Sequence, residues 1–492
     1  NLVSLEMPHS SIKQLWKGVQ RLVNLKHLNL SHSEHLTKIP DLSLATNLES
    51  LTFRGCTSLL ETHSSIQYLN KLIVLNLEHC RSLTSLSTSI HLESLKTLIL
   101  SGCSNLMKLP SSIERLSSLI LLNLRNCSRL EGLPSKICKL KSLERLNLSG
   151  CSNLQRLPNE LGNLEALKEL KAEGIAIREV PSSIVCLKNL GRLSFESFKE
   201  LPECLGQLSS LRILFLDKNN FERIPESIIC LSHLYWLRIS YCERLKSLPE
   251  LPCDLSDIEA HCCSSLEALS GLSILFTQTS WNSQCFDFQH CEVPRGMICF
   301  PGSELPEWFM FQSMGASAIF KLPLDCFSYN FVGFALCAVV AFRDHHDGGG
   351  SFHVCCESIL KTEDGLFQVT DGRMTGWFDG SPGPRYIGSD HVFLGFDFNM
   401  FSDGLDEYYC SDEVFIQFYL EDRRCVDFCE VTKCGIHLLY ARDFADSTED
   451  SVWNFSSDEE EELPLLLPTP PKRLKYSVKQ SPLVPFVSGS FL

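Results

Sequence analysis

The chain has 492 residues, 44% of them hydrophobic and 21% charged, which suits a globular protein with more than one core. Its net charge of −15 argues against nucleic acid as the primary ligand, because phosphate binding needs a basic face. The longest apolar stretch, residues 331–342, is too short for a membrane-spanning helix and suits a buried strand, so no membrane partner is expected.

The chain opens at Asn1 in mid-repeat and without methionine, which reads as a piece of something longer. From Leu2 to Leu255 a leucine returns every 21 to 24 residues and opens the same phrase, as in Leu25-x-x-Leu28-x-Leu30 and Leu95-x-x-Leu98-x-Leu100. Twelve such units occur. A unit of this length cannot bury its own apolar face and must stack on its neighbours. Each phrase predicts a short parallel strand with its leucines inward. A second phrase, such as Leu106-x-x-Leu109-Pro110-x-x-Ile113, predicts an extended step and at most a turn of helix on the convex side. The expected fold is an α/β leucine-rich-repeat solenoid, a horseshoe with its parallel sheet on the concave face.

Cys56, Cys80, Cys103, Cys127, Cys151, Cys242 and Cys263 all fall eight residues after an opening leucine, and Asn219 fills the same slot. The slot faces inward where the chain leaves the strand, so a small polar side chain there can bond loop backbone groups. One evenly spaced column has no natural pairing, which predicts thiols rather than disulfides and a reducing compartment. Zinc is not expected: no C-x-x-C pair occurs, and His345, His346, His353, Cys355 and Cys356 are interrupted by a glycine run. The repeat phrase stops after Leu272, where a cap from a following domain is expected.

Leucine periodicity then gives way to short apolar or alternating runs at 318–322, 331–342, 391–398, 414–420 and 434–440, with turn-rich stretches between. These predict an all-β sandwich. Beyond 445 the chain is acidic, with an unbroken carboxylate run at 458–462, and then proline-containing, which predicts disorder. The expected division is 1–272 repeats, 273–445 sandwich and 446–492 tail. Lys472, Arg473 and Lys475 in that tail are a candidate nuclear localisation signal.

The phrase Leu95-x-x-Leu98-x-Leu100, continued by Cys103, Leu106, Leu109-Pro110 and Ile113, resembles the leucine-rich repeats of plant intracellular immune receptors with an N-terminal TIR domain. The opening, with Leu5, Met7-Pro8, Ser10, Ile12 and Leu15-Trp16, resembles the first repeat of that family. Pro301-Gly302-Ser303, with Leu305-Pro306 and Trp308-Phe309, resembles part of the jelly-roll-like C-JID domain that follows such repeats; so does Lys433-Cys434-Gly435 with His437. The Pro301 to Trp308 stretch itself reads as a strand entry and sandwich packing.

The resemblance implies the sensor half of an intracellular receptor. It would recognise a pathogen effector protein and hold a nucleotide-binding (NB) switch off until the effector arrives, oligomerising on activation only as the full-length receptor. Other implied partners are the receptor's own NB and TIR domains, and the implied location is the cytoplasm, with a nuclear pool if the basic tail segment acts. No cofactor is expected in this chain; ADP, ATP and NAD belong to domains it does not contain. It is not expected to be an enzyme: G-x-x-x-x-G-K-[ST], H-E-x-x-H and G-x-S-x-G are all missing. The alternative is a substrate adaptor or scaffold with no immune role. An extracellular receptor, suggested by sequons such as those at Asn29 and Asn147, sits badly with the many unpaired thiols.

Strand alternation places the outward concave positions two, four and six residues after each opening leucine. Most are polar. Late in the array Arg192, Glu196, Ile213, Phe215, Trp236 and Arg238 come together on neighbouring strands. Aromatic, arginine and aliphatic groups presented together are the composition of binding hot spots. They form either a partner-binding patch or a dock for the second domain.

Overall fold

The computed structural model describes residues 2–87, 91–177, 179–252, 255, 257–266, 297–321, 331–343, 345–347, 352–361, 367–377, 385–387, 389–397, 413–422 and 429–440. The repeats and the β region after them belong to one compact unit, Asn1–Ser447. Twelve short strands, from β1 (Ser4–Glu6) to β12 (Asp257–Glu259), pair in parallel in chain order. Their register is uniform. Leu5, Leu28 and Leu51 begin a column of partners that ends at Leu237 and Ile258.

On the opposite side, Pro110, Pro134, Pro181 and Pro225 are the N-caps of short 3-10 helices, such as Ser111–Arg115 and Ser135–Lys139. Proline's fixed φ suits this position, and its missing N–H is not needed there. Among the described residues these 3-10 turns replace any α-helix.

The cysteine slot is built as a repeated hydrogen bond. Cys80 Sγ donates to the Phe53 carbonyl, Cys103 to Leu77 and Cys127 to Leu100, each at 3.1 Å. Each of these carbonyls also accepts a backbone N–H from its own repeat, as Phe53 does from Cys56 at 3.1 Å. Asn219 does the same work with Nδ2, donating to Phe195 at 3.2 Å and Leu216 at 2.6 Å. Burial pushes the Cys56 thiol up to about 11 and that of Cys151 to about 12. Cys56, Cys80, Cys103, Cys127, Cys151, Cys242 and Cys263 are all thiols outside any disulfide.

One residue before the slot, every repeat takes positive φ: His9, His32, Gly55, His79, Gly102, Asn126, Gly150, Gly174, Ser197, Lys218, Tyr241 and Cys262. From His32 to Gly150 this is the third residue of a turn closed by the N–H of the slot residue, as Cys80 N–H closes on Leu77 at 3.2 Å, and a left-handed conformation there defines the type II pattern.

The second domain continues the first. Strand β13 (Met297–Pro301) pairs in parallel with β12, setting Ile258 opposite Ile298. Its Ile298 and Phe300 take the places of the two inner leucines of a repeat, and Ala260 N–H donates to Cys299 at 2.8 Å as though a thirteenth repeat followed. Beyond β13 the pairing turns antiparallel, through β21 (His391–Asp397), β16 (Phe331–Phe342), β23 (Cys429–Tyr440) and β14 (Phe311–Met314). A second sheet runs β15 (Ser317–Lys321), β22 (Glu413–Asp422), β18 (Phe352–Lys361), β19 (Phe367–Trp377). A two-stranded ribbon joins β17 (His345–Asp347) and β20 (Arg385–Ile387).

Phe334, Leu336, Ala338 and Val340 of β16 pack with Val354, Ile416 and Phe418 of the second sheet. The alternate residues Ala335, Cys337 and Val339 join the core that runs through the repeats. Both faces of β16 are therefore covered, which is why its sequence is continuously apolar instead of alternating. Trp308 and Phe309 close that core, with Trp308 edge-on to His437 at 5.1 Å.

Candidate protein-recognition surface

The parallel register brings Arg192, Ile213 and Trp236 side by side on β9 (Arg192–Phe195), β10 (Ile213–Phe215) and β11 (Trp236–Arg238). Phe215 lies beside Arg238 on the next strand. The two arginines sit on the Phe215 ring, Arg238 at 4.0 Å and Arg192 at 5.0 Å from its centroid, and Trp236 meets it edge-on at 5.0 Å. As a result Phe215 is only 4% exposed, although alternation places it on the outward side. The expectation of an exposed phenyl ring fails because its neighbours close over it. Around it, Trp236, Ile213 and Arg192 remain half-buried at the surface.

Carboxylates hold these groups in place. Asp217 pairs with Arg238 and accepts the Ser240 N–H at 3.1 Å. Trp236 Nε1 donates to Glu259 at 3.1 Å. Glu169 lies 3.7 Å from Arg192 Nε. Glu196 lies beside this frame, 3.9 Å from Lys218, and burial raises its carboxyl above the ordinary value. Asp217 and Glu259 were not named from the sequence. Their column positions were readable, but their partners depend on which rotamers the strands bring within reach. Lys472, Arg473 and Lys475 lie outside the described residues.

Among the described residues no group of three or more His, Cys, Asp or Glu is placed to hold a metal ion. No described helix is long and apolar enough to cross a membrane.

At the far end of the array lies a group the sequence did not announce. Through most of the array the N–H of the left-handed residue donates to the next repeat, as His79 does to Ser101 at 2.7 Å. At Cys262 the N–H donates instead to His391 Nε2 at 3.0 Å. His391 Nδ1 donates to the Ser389 carbonyl at 2.9 Å, which fixes the neutral tautomer. Burial lowers the pKa of this histidine to about 4.

The fold and surface define a class: a leucine-rich-repeat scaffold whose parallel sheet passes directly into an antiparallel β domain. Residues 300–445 match the C-JID domain, 146–214 a leucine-rich repeat region, and 1–20 and 94–116 single leucine-rich repeats. Part of the chain is similar in sequence to plant disease resistance proteins. The disease resistance-like protein DSC1 of Arabidopsis thaliana is 34% identical over 253 residues, covering 42% of this chain and 21% of the relative. For the disease resistance protein RPP2B of the same plant the values are 35% over 259 residues, 43% and 22%. For RPS4 they are 30% over 250 residues, 43% and 20%. The chain thus spans about a fifth of the length of these relatives. Both matched domain types are non-catalytic.

Proposed function

We propose that this chain is the sensor half of an intracellular plant immune receptor, recognising a pathogen effector protein by direct contact and restraining a nucleotide-binding switch until it does. The observation that carries this reading is the order of parts: repeats homologous to disease resistance proteins, continued by a C-JID match over 300–445. The half-buried Trp236, with Ile213 and Arg192 around the covered Phe215, is the contact surface we assign to the effector. Arginine and tryptophan already braced by neighbours lose little freedom on binding, which favours affinity. The switch, the NAD chemistry and oligomer formation belong to the receptor's other domains in this reading.

The test is co-purification from pathogen-challenged tissue with this chain as bait. Wild type should retain a pathogen-encoded protein, and Trp236→Ala with Arg192→Ala should lose it while keeping the circular dichroism of the parent. Equal recovery by the folded double variant would sink the assignment, as would recovery of protein-modifying enzymes alone, which is the adaptor outcome.

A further inference from the structure

The middle of the concave face carries a second surface, separate from the Phe215 cluster. Across the strands Val74–Asn76, Thr97–Ile99, Leu121–Asn123 and Arg145–Asn147, the register sets two rows. One row reads Val74, Thr97, Leu121, Arg145 and the other Asn76, Ile99, Asn123, Asn147. Val74, Ile99 and Leu121 are half-buried and make an apolar floor.

The three asparagines in the second row are oriented alike. Oδ1 of Asn76 accepts the Glu78 N–H at 2.9 Å, that of Asn123 the Arg125 N–H at 3.0 Å, and that of Asn147 the Ser149 N–H at 3.0 Å. A backbone donor can be met only by the amide oxygen, so the assignment of oxygen and nitrogen is fixed by the bond. Each Nδ2 group then remains a donor with no acceptor among the described residues.

Charge adds to this. Arg125 and Arg145 are exposed and have no ion-pair partner among the described residues. Of the nearby acids, Glu78 pairs with Arg54 at 3.0 Å and Glu169 with Lys171 at 2.8 Å, while Glu173 accepts from the hydroxyls of Ser149 and Ser194. The surface is therefore apolar in its floor, rich in donors and positive at its rim.

We propose that this surface seats an extended acidic segment of a protein partner. Aliphatic side chains of the segment rest on Val74, Ile99 and Leu121. Its carbonyls and carboxylates accept from the asparagine amides, Arg125 and Arg145. An extended chain rises about 3.3 Å per residue, so in crossing strands about 4.8 Å apart it passes roughly two rungs every three residues. The assignment rests on the concave face being a protein-binding surface, and it names the chemistry of one partner segment.

The experiment uses the full chain and fluorescence anisotropy. The probe is a short fluorescein-labelled peptide in which leucine and aspartate alternate with serine spacers, compared with an asparagine-for-aspartate twin and a short oligo(dT). The acidic peptide should bind, the twin about tenfold more weakly, and Arg125→Ala with Arg145→Ala should weaken the acidic peptide about tenfold. Trp236→Ala should leave it within about twofold, since that residue lies in the other cluster. Absence of binding, equal binding of the twin, tighter binding of oligo(dT), or loss through Trp236→Ala in place of the arginine pair each overturns the proposal. Co-purification with the Trp236 variant reads the effector assignment separately, so either idea can fail alone.

Discussion

The position just before the cysteine slot carries a constraint that residue identity alone hides. Histidine, glycine, asparagine, serine, lysine, tyrosine and cysteine all occupy it with positive φ, so no single residue type marks it. From His32 to Gly150 the sequence alternates a larger residue with glycine at this position. A Cβ on Gly102 would lie 2.2 Å from His79 Nδ1, and one on Gly150 2.2 Å from Asn126 Oδ1. The larger side chain of one repeat lies over the glycine of the next. Gly18 has similar φ but nothing within 4 Å, so it isolates the backbone cost. Gly18→Ala should lower stability by about 1 kcal/mol, and Gly102→Ala by more, up to about 2 kcal/mol. The excess at Gly102 should vanish in a His79→Ala background, as measured by urea denaturation of the four variants. An excess that survives His79→Ala would mean the clash is not its source. The cysteine slot, by contrast, was legible, because its period and its polar character coincide.

The junction between repeats and sandwich is an element-scale device. Strand β13 copies the inner-leucine pattern with Ile298 and Phe300, and His391 on β21 takes over the acceptor role that the next repeat would have played. Neither was visible in advance. A single strand of five residues after a stretch without periodicity gives no repeat signal, and Cys262 and His391 are separated by 129 positions. The runs at 331–342, 391–398, 414–420 and 434–440 were readable as strands because burial on one or both faces leaves its pattern locally. The direction of pairing was not, since it depends on chain crossings. His391 also makes the junction pH-dependent. Its folded-state pKa, about 4, lies below the ordinary value of 6.5, so the fold holds the neutral form. The unfolded chain takes up the proton first as pH falls. The contribution is therefore complete above pH 6.5 and is lost progressively towards pH 4, to an extent on the order of 3 kcal/mol. His391→Gln keeps an acceptor without the titration. It should show a shallower fall in unfolding free energy between pH 6.5 and 4 than the parent, and parallel curves would refute the role.

At the scale of the whole molecule, one sheet and one core pass from the repeats into the second domain, with Ile258 and Ile298 as register partners across the seam. The sandwich is thus the cap that an open solenoid end requires. Capping by strand addition satisfies both the backbone edge of β12 and its apolar face, which a loosely tethered domain would not do. Stability in such an array is a sum over neighbours, so damage at the seam should spread only a short way. Ile298 is 4% exposed, and Ile298→Asp places an uncompensated carboxylate in the core at a cost of about 3–5 kcal/mol. Hydrogen exchange should then accelerate in β11, β12, β13 and β21, whereas Thr97–Ile99 and Leu121–Asn123 exchange as in the parent. Acceleration reaching those central strands would show a single cooperative block instead of neighbour coupling. Unchanged exchange in β12 would show that β13 does not cap it.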